Sequence, residues 1–250
     1  MKKSFKLFLL ALCAVFACLA FTGCSNPTTT PEPSTPVTPE PPVTYIGTKT
    51  PTETKAVGDI VFTDGSASPY TEELTNEQQA AAIAVIFYVG DENDTLGAKT
   101  LGVGLITERT DDMGLPWCLK DAVAYDSNDY AQNMNDGKAN TDEIAGLSDY
   151  GDGTKYPAFK FCRDYTAQGF TTGWYLPAIN ELKMLYASLT EVGNALNALD
   201  IENPYTDFFL SSTSEYKDYN WAKVFHFTEE EHIQFMLKFI HVYVCAIHTF

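Results

Sequence analysis

Apolar residues recur along this chain at spacings that separate helix from strand. In residues 174–186, WYLPAINELKMLY, Leu182, Leu185 and Tyr186 fall at three- and four-residue intervals and make one helical stripe. Pro177 stands at or just before the first turn, where a missing N–H costs little. Trp174 and Leu176 alternate with Tyr175 as a short strand does. The motif reads as strand, turn and helix, with its apolar residues in a core. Upstream, residues 58–62 (GDIVF) predict a strand closed by the turn at 63–66, and residues 74–79 a short helix. The run AAIAVIFYV at 81–89 predicts a strand buried on both faces. Residues 101–107, LGVGLIT, predict another, with glycines that signal close packing. Residues 108–157 are polar, rich in Asp, Asn and Gly, and predict long ordered loops. Residues 158–166 and 187–199 predict two more helices, and 211–250 a terminal β block.

Within that block, Ile233, Phe235, Leu237 and Phe239 fall on one face of a period-two pattern. That face is uniformly apolar and reads as core. His232, Gln234, Met236, Lys238 and Ile240 fall on the other, which mixes imidazole, amide, thioether, amine and branched alkyl groups and reads as exposed. All four histidines, His226, His232, His241 and His248, lie in the last 25 residues.

The first fifty residues follow another logic. Lys2, Lys3 and Lys6 precede an apolar run at 8–20, too short to span a bilayer. Thr22-Gly23-Cys24 follows directly and resembles a bacterial lipobox. The expected organisation is a signal peptide at 1–23, acylation at Cys24, a Pro/Thr-rich linker at 24–56 and a folded domain at 57–250. The tract NPTTTPEPSTPVTPEPPVT cannot bury a core and favours extended polyproline II. At about 3.1 Å per residue it is long enough to hold a domain several tens of ångströms from a membrane.

Charge narrows the function classes. The net charge is −17, from 33 acidic and 16 basic residues. Such a chain repels phosphate backbones, so nucleic acid is not an expected partner. Among six cysteines, Cys13, Cys18 and Cys24 belong to the targeting segment. Cys118, Cys162 and Cys245 have no CxxC or CxxH spacing and read as small buried residues. The acidic clusters at 91–94, 111–112 and 149–152 do not fit an EF-hand and read as solvated loop charge. Nucleotide-binding, nucleophile-elbow and zinc-protease motifs are absent, and no cofactor, metal or catalytic activity is expected.

Several pieces together resemble one family: Gly58-Asp59-Ile60 with Asp64-Gly65, the segment from Tyr156-Pro157 to Asp164, Gly173-Trp174-Tyr175-Leu176-Pro177 with Glu181-Leu182, Ser211-Ser212-Thr213, and the ending from Tyr243 to Phe250. The chain is similar to the variable proteins of diversity-generating retroelements, of the Treponema type. The resemblance implies an α+β, C-type-lectin-like fold of the formylglycine-generating-enzyme type, with small antiparallel sheets, two or more helices and long ordered loops. It departs from the family where Cys245 and His248 replace arginines, and where Leu210 and Lys223 replace tryptophans. It implies a lipid-anchored protein of the bacterial outer membrane and cell surface. A variable segment at about 208–250 would bind an unknown protein or other macromolecule on another cell. The residues placed on that ligand-binding face are Leu210, Glu215, Lys217, Asp218, Tyr219, Asn220, His226, His232, Gln234, Met236, Ile240 and His248. The alternatives are a fixed-specificity adhesin or structural surface lipoprotein on the same fold and, less favoured, a formylglycine-generating-type oxidase. The oxidase needs a cysteine pair near the C-terminus, where this chain has Cys245 alone.

Overall fold

The computed structural model describes residues 43–108, 114–127, 129–205, 208–214, 220–228 and 232–250. The folded unit runs Val43–Phe250. Its elements are, in order, strands β1 (Asp59–Phe62) and β2 (Ala67–Pro69), helix α1 (Asn76–Ala81), and strands β3 (Ala82–Val89), β4 (Thr100–Glu108) and β5 (Leu115–Pro116). Four helices follow: α2 (Gly137–Ala145), α3 (Pro157–Asp164), α4 (Ile179–Ala187) and α5 (Leu189–Ala198). The chain ends in strands β6 (Phe208–Ser214), β7 (Trp221–His226), β8 (Ile233–Leu237), β9 (His241–Val242) and β10 (Val244–Thr249).

The result is an α+β fold of small antiparallel sheets. The largest has the strand order β10-β4-β3-β1-β2, a second pairs β5 with β9, and a third has the order β6-β7-β8. Alternation along the strands of the large sheet explains its place in the molecule. Val61, Ile83, Val244 and Ala246 enter one apolar cluster with Phe159 and Cys162 of α3. Ile60, Phe62, Val85, Phe87, Cys245 and Ile247 enter another with Leu182 and Leu185 of α4 and Val192 and Leu196 of α5. The sheet is therefore covered by helices on both sides, which is why β3 reads as an unbroken apolar run. The glycines of β4 admit aromatic rings. A Cβ at Gly102 would lie 2.6 Å from the Phe250 ring, and one at Gly104 2.6 Å from the Tyr165 ring.

The 174–186 motif joins both clusters. Trp174 and Leu176 face the first and Tyr175 the second, so the expected alternation is present. It yields an isolated bridge rather than a strand: Tyr175 and Ile247 exchange backbone hydrogen bonds of 3.0 and 3.1 Å. Pro177 precedes α4, and Glu181 caps the helix by accepting from the Ala178 N–H at 2.7 Å.

Two expectations require correction. The linker does not extend to residue 56. Lys49 exchanges backbone hydrogen bonds with Ala67, and the Thr48 N–H donates to Ser68 Oγ at 3.0 Å. Lys49 Nζ also reaches Asp59 at 2.5 Å. This docking runs largely through polar side-chain and backbone groups, which leave no apolar pattern to read. The stretch 108–157 is also more regular than its composition suggests, because it contains α2. Asp136 caps that helix by accepting from the Ala139 N–H at 2.9 Å. The buried face of α2 is Gly137, Asn140, Thr141 and Ile144, which is too polar to register as a stripe.

Candidate functional site

The β7–β8 hairpin carries four of the described residues expected to bind, His226, His232, Gln234 and Met236. Its ladder pairs Ala222 with Met236, Lys223 with Phe235, Val224 with Gln234 and Phe225 with Ile233. Opposed residues share a face, so Ala222, Val224, Gln234 and Met236 lie on one side. Ala222 and Val224 are fully buried, and Met236 packs against their cluster. Lys223, Phe225, Ile233 and Phe235 lie on the other side, where Ile233 is 38% and Phe235 45% exposed. The two faces are thus inverted relative to the sequence reading. Period two fixes which residues travel together, and both sets contain large apolar groups. What decides the orientation is that Ala222 and Val224 bring their partners inward.

The alternation also stops at Leu237. Lys238, expected on the outer face, is only 1% exposed. Its Nζ donates to the Ala124 and Ser127 carbonyls at 2.6 and 2.7 Å and lies 4.8 Å from the Trp117 ring centroid. Burial pulls its pKa down to about 8. This amine pins the end of β8 to the 122–127 loop. Ile240, in the turn that follows, is 39% exposed as expected.

The outer face of the hairpin meets α4 at Phe225 and His232. There Met184, Tyr186, Phe225, His232 and Ile233, with Lys183 at hand, line an apolar groove of about 430 Å³. The His232 ring stacks on Phe225, with centroids 5.3 Å apart and planes 3° from parallel, and lies 4.3 Å from Tyr186. His232 Nδ1 donates to the His226 carbonyl at 2.9 Å, which fixes the ring. At the open end, Lys223 Nζ lies 4.6 Å from the Phe235 ring centroid. Strand β8 is the outer strand of its sheet, so a backbone edge runs beside the groove.

His226 is buried, its Nδ1 accepting from the Thr228 N–H at 3.3 Å. The remaining expected residues scatter. The Asn220 carbonyl accepts from the Lys238 N–H at 2.8 Å. Leu210 pairs with Val224 inside the sheet, and its side chain is outside the description. His248 belongs to the large sheet, where it pairs with Gly102 and packs against Phe170, Trp174 and Phe250. Glu215, Lys217, Asp218, Tyr219 and Cys24 lie outside the described residues. Sequence reasoning missed Ile233, Phe235, Lys183 and Met184, and it assigned Tyr186 to the core. The available signal was Lys183-Met184 beside the apolar stripe of α4, a boundary position where one helix face ends.

The groove offers apolar burial, imidazole and amine. Among the described residues no cluster of three or more His, Cys, Asp or Glu is arranged to hold a metal. Cys118, Cys162 and Cys245 are free and buried, and burial pushes the Cys118 thiol up to about 12. Among the described residues no helix is long and apolar enough to cross a membrane.

The sequence matches no protein-family model, and comparison with curated proteins gives no match. Among solved structures, a fimbrial protein from Bacteroides ovatus is similar with a TM-score of 0.55 and 17% identity, over 78% of this chain and 49% of that one. The present chain thus spans about half the length of that protein, and the likeness is one of fold.

Proposed function

We propose that this chain is a lipid-anchored surface protein that binds a protein or other macromolecule through the outer face of the β7–β8 hairpin and its groove on α4. The observation that carries the reading is the position of β8 as the outer strand of its sheet, with Ile233 and Phe235 exposed beside an apolar groove. An extended partner strand can add its backbone to such an edge and place alternate side chains in the groove. The lipobox-like Cys24 and the proline-rich tract fit delivery to the outer membrane and cell surface. Loss of fatty-acid labelling in Cys24→Ser tests the anchor.

Within this reading we assign the fold to the C-type-lectin-like class and the chain to the variable proteins of diversity-generating retroelements. Support comes from the long ordered loops and from the placement of the last strand, β10, in the same sheet as β1. A surface screen with the wild-type domain should recover a ligand that Ile233→Ser/Phe235→Ser no longer binds while melting unchanged. Equal binding by the double variant would remove the hairpin from the site. The fold likeness to a fimbrial protein favours a second reading, a fixed-specificity adhesin. A near-identical repeat of the C-terminal coding sequence beside a reverse-transcriptase gene separates the two, since only the diversified protein requires one.

A further inference from the structure

We draw no further inference here: the strongest candidate, the exposed apolar surface patch where Leu119 and Val123 of the 119–125 loop stand beside Phe239 and Ile240 after β8, with Lys120 Nζ 3.9 Å from the Phe239 ring centroid, carries nothing because nothing in the structure shows what covers it.

Discussion

Replacing Glu181 tests how α2, α4 and the terminal strand are tied together. Its carboxylate is fully buried. Oε2 accepts from the Ala178 N–H at 2.7 Å and the Gly137 N–H at 3.1 Å, at the starts of α4 and α2. Oε1 accepts from the Tyr175 hydroxyl at 3.2 Å, and Tyr175 is the residue bridged to Ile247 of β10. Glu181→Ala leaves three buried donors without this acceptor. At about 1–3 kcal/mol each, partly offset by no longer burying a carboxyl, the cost should be roughly 3–6 kcal/mol. Glu181→Gln keeps the volume and one carbonyl oxygen for both N–H groups. Its amide can donate to Tyr175 Oη, so the cost should be about 1 kcal/mol.

The same residue makes stability depend on pH. Burial, opposed by the N–H donors and Lys99, pushes its pKa from 4.5 up to about 7. The folded carboxyl therefore keeps its proton over a range in which the unfolded one has lost it. The stabilisation is fully present below about pH 4.5 and is lost as pH rises to about 7, a change of roughly 3 kcal/mol. Urea unfolding of the wild type and Glu181→Gln at about pH 5 and about pH 8 isolates this effect, because other titrating groups cancel in the difference. The wild type should lose stability relative to the glutamine variant between the two. A difference that does not change with pH, or an alanine variant as stable as wild type, would refute the reasoning.

Two other perturbations follow from buried groups. The folded pKa of Lys238, about 8, lies below its ordinary 10.5, so the unfolded chain holds that proton to higher pH. Wild-type stability should thus rise between about pH 8 and about pH 10 relative to Lys238→Met, and parallel pH profiles would contradict the buried amine. The face assignment of β8 predicts that Met236→Ala costs about 1–3 kcal/mol and Phe235→Ser less than about 1 kcal/mol. The reverse order in thermal melts would restore the orientation read from the sequence.

Much of the scaffold was legible because burial leaves a repeating signature. The unbroken run in β3 announced a strand covered on both sides, and Leu182 and Leu185 announced the buried face of α4. Helix α2 was not legible, since Gly137, Asn140 and Thr141 are buried through polar contacts. Asn140, for instance, donates to the Asn133 carbonyl at 2.7 Å and to Ser212 Oγ at 3.0 Å. The candidate site was half legible. Its location in the terminal block and the involvement of His232 were readable from residue type. The inward side of β8 was not, because a partner strand sets it: Met236 is drawn inward by Ala222 and Lys238 by two carbonyls of a distant loop. The share of α4 in the groove is a tertiary fact with no local pattern.

The most direct measurement of the binding claim is amide hydrogen exchange across the hairpin, with and without a ligand recovered by the surface screen. Strand addition predicts that exchange slows along the β8 edge, residues 233–237, and at the groove residues of α4, while the 138–142 segment is unchanged. Protection confined to another surface, with β8 exchanging at its free rate in the saturated complex, would contradict the account.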